Sequence, residues 1–392
     1  MNGIPLALYI HVPWCVQKCP YCDFNSHQLK GAIPEKEYIA HLLADLEQDI
    51  PLITHNGIIR EVNSIFIGGG TPSLLSVDAM HTLLHEIGKR IPIAGNAEIT
   101  MEANPGTVEA AKFIGFKQAG INRISMGIQS FQQQHLSILG RIHDSQQSHN
   151  AIGYAKELGL NSFNTDIMHG LPAQSLSNAL DDLSQAMSHQ PPHISWYQLT
   201  IEPNTLFYSK PPSLPPDDLL WDIQTEGQTK LASKGYRQYE VSAYAKEGHQ
   251  CQHNLNYWRY GDYLGIGCGA HGKITQTNSD TGKNKMGIHK IIRTVKTKHP
   301  KGYMNIAKPY LYESSKVEDS DLCFEFFMNR FRLVEPCPIV EFERYTGRAL
   351  YASELGKLKG LAERDLLIYT DTHWQVSELG KRYLNSLLEV FV

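Results

Sequence analysis

Short apolar segments alternate with amphipathic segments along the first half of the chain. The run from Leu6 to Val12 is apolar and β-prone, and the segment from Glu35 to Ile50 places apolar residues at helical spacing. The alternation continues through predicted strands at 63–67, 98–102, 123–128, 163–169 and 194–201 and predicted helices at 76–90, 108–118, 145–158 and 177–188. Six β/α units predict an α/β fold, a partial (β/α)6 barrel of parallel strands covered by helices. In such a fold the carboxyl ends of the strands form the active-site face.

The pattern changes after residue 205. Prolines between Pro211 and Pro216 mark a boundary, and a helix over 217–234, a strand near 239–243 and a glycine-rich segment over 264–272 follow. We expect residues 275–301, which are polar and basic, to form a flexible connection. Helices predicted over 317–331, 339–345 and 352–363, then a hairpin and a closing helix, resemble a winged-helix topology. We therefore predict a barrel over 1–205, an extension over 206–300 and a small helical C-terminal domain over 301–392.

The composition excludes some classes of function. The 392 residues are 42% hydrophobic and 19% charged, with a formal net charge of -4, as in an ordinary soluble globular protein. This slight acidity does not favour a nucleic-acid partner, which normally requires a basic surface. No apolar run approaches the ~20 residues of a membrane span. We therefore expect a cytoplasmic protein without a membrane span.

Three of the seven cysteines lie close together, as Cys15, Cys19 and Cys22 in the pattern Cys-x3-Cys-x2-Cys. An odd set of clustered thiols, with no secretory signal upstream, favours metal or cluster ligation over disulfides. Because a four-iron cubane is normally held by four thiolates, three cysteines would leave one iron open. A zinc site is the alternative, with His11 or His27 as its fourth ligand.

A glycine run, Gly68-Gly69-Gly70 followed by Thr71, lies between a predicted strand and a predicted helix. Glycines at such a point let a ligand approach the backbone, and the amino end of a helix favours an anionic group. A tight turn with no ligand explains the run equally well when it is considered alone.

The cysteine pattern just after an apolar strand, with the glycine run one strand later, resembles the radical S-adenosylmethionine (SAM) enzymes. The resemblance implies a [4Fe–4S] cluster on Cys15, Cys19 and Cys22, with SAM chelated to the open iron through its amino and carboxylate groups. In that family an electron from the cluster cleaves SAM to a 5′-deoxyadenosyl radical. The glycine motif of the family receives the methionine amino group of SAM.

The wider sequence resembles the coproporphyrinogen-oxidase-like branch of that superfamily. Residues that match branch positions holding SAM stand at or near the ends of predicted strands. The resemblance implies SAM contacts from Tyr9, Tyr21, Gly69, Gly70, Thr71, Glu102, Gln129, Arg141 and Asp166. Chemically the set suits the ligand, because carboxylates accept from ribose hydroxyls and arginine pairs with a carboxylate. Singly, Glu102 or Asp166 would be read as a helix cap or a strand-end ion pair.

Two features bear on which members of the branch the chain resembles. The decarboxylating dehydrogenases continue the cysteine loop as Cys-x-Cys and carry an N-terminal extension, whereas this sequence reads Cys22-Asp23-Phe24. The segment from His253 to Trp258 fits the His-Asn-x-x-Tyr-Trp motif of the haem chaperones of the branch. Since haem iron is commonly held by histidine, we expect His253 to contact haem, with Tyr257 and Trp258 as an apolar wall.

Two alternatives remain for that segment. A single histidine among aromatic residues is commonly a hydrogen-bonded packing residue. Alternatively, His249, Cys251 and His253 alternate, so on a strand they would share one face and could bind a metal.

The resemblance favours a haem chaperone that binds haem and transfers it to an acceptor haem protein. The alternative is an oxygen-independent coproporphyrinogen III dehydrogenase of porphyrin biosynthesis, so the sequence alone does not decide whether the protein is an enzyme. The resemblance also implies a homodimer and an electron donor such as reduced flavodoxin or ferredoxin. It identifies no residue as catalytic.

Overall fold

A mixed sheet of twelve strands forms the centre of the molecule. The computed structural model describes residues 3–107, 110–277, 289–305 and 307–392. The strands, in chain order, are β1 (Leu6–Val12), β2 (Trp14–Cys15), β3 (His27–Gln28), β4 (Thr54–His55), β5 (Ile58–Ile59), β6 (Val62–Gly69), β7 (Ile93–Ala103), β8 (Arg123–Gln129), β9 (Ser162–His169), β10 (His193–Gln198), β11 (Arg237–Glu240), β12 (Ala243–Ala245), β13 (Asp262–Ile266), β14 (His271–Thr277), β15 (His289–Lys296), β16 (Leu311–Lys316), β17 (Cys337–Pro338), β18 (Leu367–Tyr369) and β19 (His373–Val376).

The helices, in chain order, are α1 (Glu35–Asp49), α2 (Val77–Arg90), α3 (Ala110–Gln118), α4 (Gln133–Ile138), α5 (Ser145–Glu157), α6 (Leu176–Ser188), α7 (Leu206–Ser209), α8 (Asp217–Ser233), α9 (Gln252–Trp258), α10 (Pro300–Tyr303), α11 (Leu322–Arg330), α12 (Ile339–Thr346), α13 (Ala352–Glu363), α14 (Glu378–Arg382) and α15 (Leu384–Glu389). Helices α1 to α6 connect the parallel strands, and the other helices belong to the extension and the C-terminal unit. The hydroxyl of Ser76 accepts a hydrogen bond from the amide of Ala79, which explains why α2 begins where it does. The predicted start of the third helix, near residue 108, lies outside the described residues.

The order of the large sheet is β11-β12-β10-β9-β8-β7-β6-β1-β13-β14-β15-β16. Strands β1, β6, β7, β8, β9 and β10 are parallel neighbours, which confirms the predicted partial barrel. On its other side β1 pairs in parallel with β13, so the extension continues the sheet. Apolar side chains from both faces of β1, such as Ala7 and Leu8, are buried. The cysteine loop therefore follows the central strand of the fold.

The prediction of a flexible connection at residues 275–301 is wrong for most of that segment. Strand β15 pairs with β14 and β16, while residues 278–288 lie outside the described part of the chain. The polar composition concealed these strands because their lysines are buried in ion pairs. Lys273 lies 3.1 Å from Asp262, and Lys296 lies 2.5 Å from Asp45 and 2.6 Å from Asp49. Buried charges are tolerated when they are paired in this way.

The C-terminal unit has its own apolar core. Helices α11 to α15 surround a three-stranded sheet of order β17-β19-β18, and Phe326, Phe327 and Trp374 are fully buried among them. The predicted helix at 317–331 begins later than expected, at Leu322, because strand β16 and a turn precede it. A bidentate pair between Arg259 and Glu335 fastens this unit to the end of α9. None of the helices within the described residues is both long and apolar enough to cross a membrane.

Candidate functional site

The cysteine loop leaves the carboxyl end of β1 and is held by backbone hydrogen bonds. The amide of Leu29 donates to the carbonyl of Cys15, and the amide of His27 donates to Pro13. The Asn25 side chain donates to the carbonyls of Cys268 and Lys298 in the extension. Both limbs of the loop are thus fixed to the sheet.

The glycine turn at the end of β6 lies directly against this loop. The amide of Gly70 donates to the carbonyl of Val12, and the amide of Thr71 donates to the carbonyl of Trp14. A Cβ at position 70 would lie 2.6 Å from the Trp14 carbonyl oxygen, so only glycine permits this approach. Gly69 has φ +112, and a Cβ there would lie 2.3 Å from the His11 ring. The close contact explains why glycines, rather than other turn residues, follow this strand.

A cavity of about 380 Å³ opens at the carboxyl ends of the parallel strands. Eleven of the sequence-predicted site residues line it, drawn from the cysteine loop, from the ends of β6, β7, β8 and β9, and from the loop between α4 and α5. They are Cys15, Cys19, Tyr21, Cys22, Gly69, Gly70, Thr71, Glu102, Gln129, Arg141 and Asp166. Phe24 of the cysteine loop, which is exposed to solvent, also lines the cavity.

Two partly buried carboxylates line the cavity, Glu102 on β7 and Asp166 on β9. The Oε2 atom of Glu102 accepts from the amide of Gly69 at 3.0 Å. Burial, and then the charge of Asp166, raise the pKa of Glu102 to about 7. Burial also raises the pKa of Asp166, although hydrogen bonds from Asn164, Ser195 and Ser125 oppose the rise. The site therefore concentrates negative charge that a cationic ligand would neutralise.

Gln129 reaches the cavity through a distortion of β8. Its φ of +70 lies in the left-handed region, and the pairing of β8 with β9 shifts register between Gly127 and Gln129. Its Oε1 atom accepts from the Tyr197 hydroxyl at 2.6 Å. A strained non-glycine residue in a bulge is a common way to redirect a side chain toward a ligand.

Arg141 connects the cysteine loop with the strand ends. Its Nη2 atom donates to the Gly127 carbonyl at 2.7 Å, and Nη1 lies 3.6 Å from the Cys19 sulfur. Its Nε atom is buried and finds no hydrogen-bond partner among the described residues. Since an unpaired buried donor is costly, this atom is available for an anionic group in the cavity.

The three cysteines fit an iron–sulfur cluster better than a zinc ion. All seven cysteines, which lie in the described residues, are free thiols, and those three are partly exposed to the cavity. Burial raises the pKa of the Cys15 and Cys22 thiols, and hydrogen bonds with the hydroxyls of Thr71 and Ser26, respectively, oppose this rise. Iron would bind both residues as thiolates. Within the described chain no three His, Cys, Asp or Glu side chains meet as the ligands of one metal ion would. In a cubane each cysteine instead binds a different iron.

Tyr9 lies beneath the cavity rather than in its wall. Its hydroxyl is 3.0 Å from His11 Nδ1, and its ring stacks on Phe66. Burial, and then the charge of Glu102, raise its pKa well above the ordinary tyrosine range. Tyr9 therefore positions His11 and packs beneath the cavity against Phe66.

His253 is at the opposite end of the barrel. It lies on α9, where its Nδ1 atom is 3.3 Å from the hydroxyl of Ser64, near the start of β6. Its ring packs 5.0 Å from that of Phe66 and 6.5 Å from that of Tyr9. Burial, and then the charge of Arg123, lower the pKa of His253 to about 3, so the imidazole is neutral at physiological pH.

Helix α9 closes the amino-terminal mouth of the barrel. Glu98 Oε1 accepts from the amide of His253 at 3.2 Å and from the Cys251 thiol at 3.3 Å, which satisfies donors at the start of the helix. Because residues 252–258 are helical, the alternation of His249, Cys251 and His253 does not place them on one face of a strand. The predicted alternative of a strand-borne metal site is therefore wrong.

The two aromatic residues of the motif contact the rest of the protein. The Tyr257 ring packs against those of Trp258 and Tyr263, and the Tyr257 carbonyl accepts from Asn329 of the C-terminal unit. The Arg332 guanidinium lies 5.3 Å from the Trp258 ring. The motif thus joins the barrel to the C-terminal unit.

Comparisons with known proteins identify the family of the chain. The Radical SAM superfamily profile matches residues 9–185, and the HemN C-terminal domain matches residues 317–383. "Heme chaperone HemW" of Escherichia coli is 57% identical over 388 residues, covering 99% of this chain and 98% of that protein. The chain belongs to the HemW family. The protein of the same name from Bacillus subtilis is 32% identical, covering 98% of this chain and 99% of that one.

The fold of this HemW-family chain is also similar to a solved structure of coproporphyrinogen III oxidase (HemN) from Escherichia coli, a radical SAM enzyme. The two superpose with a TM-score of 0.81 over 99% of this chain and 90% of that one, at 21% identity. That likeness shows the α/β radical SAM fold with its C-terminal domain.

Several cavity residues of the HemW-family chain escaped the sequence analysis. Tyr197 stands near the end of the predicted strand 194–201, so its strand-end position could have identified it. Ser125, which lines the cavity, and Asn164, which does not line it but contacts Asp166, lie within strands and gave no signal, because nothing in the sequence shows which strand residues face inward between neighbours. Their contacts are nevertheless central to Asp166.

Proposed function

We propose that this protein binds haem and transfers it to an acceptor haem protein. The observation that carries the proposal is its 57% identity, over nearly the whole of both chains, to "Heme chaperone HemW" of Escherichia coli. In the proposal Cys15, Cys19 and Cys22 hold a [4Fe–4S] cluster and SAM occupies the adjoining cavity. Clustered reduced thiols suit a reducing compartment, so we place the protein in the cytoplasm.

In this proposal different cavity residues bind different groups of SAM. We assign the methionine amino group to the glycine turn and the carboxylate to Arg141, whose Nε atom is unpaired among the described residues. Glu102 and Asp166 would accept from the ribose hydroxyls and attract the sulfonium charge. When bound, the cluster would supply the electron that cleaves SAM in radical SAM enzymes.

We place the haem contact at His253. Support comes from its place in the His-Asn-x-x-Tyr-Trp motif and from its neutral imidazole, a form able to bind iron. We further propose an acceptor haem protein, a homodimer and a reduced flavodoxin or ferredoxin as partners.

One assay on a single anaerobically reconstituted sample tests the function. Haem titration followed by absorbance should show stoichiometric binding, and incubation with reductant, SAM and coproporphyrinogen III should form no protoporphyrinogen. Formation of protoporphyrinogen would instead identify a dehydrogenase. Absence of a stoichiometric Soret band would contradict haem binding by this chain.

The affinity for SAM is expected to depend on pH through Glu102. Because its pKa in the folded protein is about 7, Glu102 is mostly ionised at pH 8 and mostly protonated at pH 6. Only the ionised form can accept at both oxygens and attract the sulfonium, so affinity should fall about tenfold from pH 8 to pH 6. Equilibrium dialysis at both pH values measures this change.

The variant Glu102→Gln provides the comparison for this pH dependence. It retains the size of the side chain but cannot ionise, so its affinity should change with pH only as the ionisation of SAM itself requires. Equal pH dependence in the two proteins would show that Glu102 does not titrate in the site.

A further inference from the structure

A chain of buried hydrogen bonds runs through the barrel from the start of α9 to Asp166. Its members are Cys251, Tyr239, His193 and Asn164. They come from four different segments, α9 with its preceding residue, β11, β10 and β9, so only the fold brings them together. All four are buried.

The orientation of the Asn164 amide is fixed by a backbone group. The amide N–H of Ser195 lies 2.9 Å from Asn164 Oδ1, and an N–H can only donate. Oδ1 is therefore the acceptor, and Nδ2 must face the other way. There Nδ2 donates to Asp166 Oδ1 at 2.7 Å and to the Ser125 hydroxyl at 2.8 Å.

The same reasoning fixes the tautomer of His193. Its Nδ1 atom lies 2.6 Å from the acceptor Oδ1 of Asn164, so Nδ1 carries a proton. Burial, followed by the charge of Arg123, lowers the pKa of His193 well below its ordinary value, which keeps the ring neutral. Its Nε2 atom then accepts from the Tyr239 hydroxyl at 2.8 Å, and the Tyr239 oxygen accepts from the amide of Cys251 at 3.3 Å.

Every donor in this chain points toward Asp166. A series of hydrogen bonds with one direction polarises its members cooperatively, so each strengthens the next. Ser125 adds a second bond to Asp166 Oδ2 at 3.1 Å, and its own oxygen accepts from Asn164. Both oxygens of the carboxylate thus receive donors that depend on Asn164.

We infer that Asn164 is a positioning residue that orients the Asp166 carboxylate for SAM, and that His193 and Tyr239 hold Asn164 in that orientation. The inference rests on the proposed binding of SAM by Asp166. Burying polar side chains in the barrel costs free energy unless they are hydrogen-bonded, and hydrophobic residues would fill the same space without this cost. Orientation of Asp166 explains why polar residues stand there.

Two substitutions test the chain of donors at different depths. Tyr239→Phe removes one distant hydroxyl and should weaken SAM binding ~3- to 10-fold, the range expected for a single neutral hydrogen bond. Asn164→Asp places an oxygen against the Asp166 carboxylate and should weaken it ~100-fold or more, because a charge-assisted bond becomes a repulsion. The dissociation constant is measured by equilibrium dialysis on the reconstituted full chain.

Tyr236→Phe is the matched control. Tyr236 is also a buried tyrosine, and its hydroxyl donates to the Pro191 carbonyl at 2.6 Å, outside the chain of donors. It should bind SAM as the wild type does, and all variants should retain the iron content of the wild type. The SAM-induced change in the electron paramagnetic resonance spectrum of the reduced cluster provides a second measurement on the same samples.

The outcomes separate the two proposals. If Tyr239→Phe and Asn164→Asp lose thermal stability yet bind SAM like the wild type, their role is structural and the inference is overturned. If Tyr239→Phe binds like Tyr236→Phe while Asn164→Asp is impaired, the contribution of His193 and Tyr239 is overturned. A wild-type protein that contains iron but binds no SAM would instead overturn the proposed SAM site itself.

Discussion

Replacing Cys19 by serine is expected to abolish the cluster while leaving the barrel folded. Cys19 lies between the other two cysteines in sequence, in a loop whose limbs are held by backbone bonds that a serine preserves. A serine hydroxyl is a harder ligand and far less acidic than a thiol, so it cannot replace a thiolate on iron. Iron and sulfide analysis, with electron paramagnetic resonance of the reduced protein, should show no cubane in Cys19→Ser.

Cys323→Ala provides the matched control for this substitution. Cys323 is buried in the C-terminal core, away from the cavity, and reads as a small apolar residue. The variant should assemble a normal cluster after anaerobic reconstitution. A full complement of four irons in Cys19→Ser would show that the ligand assignment is wrong.

The barrel could be predicted from sequence because its signals are local. Apolar strands alternate with amphipathic helices, and a serine, Ser76, stands at the cap of α2. Strands β14 and β15 could not be predicted, since their lysines are satisfied by Asp45, Asp49 and Asp262, which lie far away in the chain or on another strand. A charged residue in a sequence suggests an exposed segment, but that inference fails when the residue is buried in an ion pair whose partner the sequence does not reveal.

The cavity could be predicted for a geometrical reason. Carboxyl ends of parallel strands meet at one edge of the sheet, so residues such as Glu102, Gln129 and Asp166 come together whatever the details of packing. The support beneath them could not be predicted, because His193 and Tyr239 act on Asp166 only through contacts between β9, β10 and β11. Contacts inside a barrel form between side chains of different strands, so they depend on which strands the fold brings together.

The structure separates the proposed haem contact from the proposed cluster. Ser64, which contacts His253, and Gly69, which lines the cavity, are five residue steps apart on β6. At ~3.3 Å per residue this is roughly 16 Å. His253 and the cavity thus contact different ends of β6, and the chain of donors to Asp166 begins at Cys251, two residues before His253. This arrangement gives the motif helix a physical connection to the SAM cavity.

Replacing His253 by leucine is expected to weaken haem binding more than tenfold while leaving the cluster intact. Leucine is apolar and fits beside Phe66 and Tyr9, so the fold should persist without the imidazole. The loss follows because the neutral ring, whose pKa is lowered to about 3, is the proposed iron ligand. Difference spectra during haem titration, with iron analysis of the same sample, measure both properties.

Ser64→Ala distinguishes ligation from packing at this position. It removes the hydroxyl that lies 3.3 Å from His253 Nδ1 but keeps the imidazole, so haem binding should persist. Loss of haem in His253→Leu but not in Ser64→Ala, at equal iron content, would match direct contact with haem. Unchanged haem affinity in His253→Leu would exclude this residue from the haem site and leave it as a packing residue that closes the amino-terminal mouth of the barrel. Haem would then have to bind to another part of the protein.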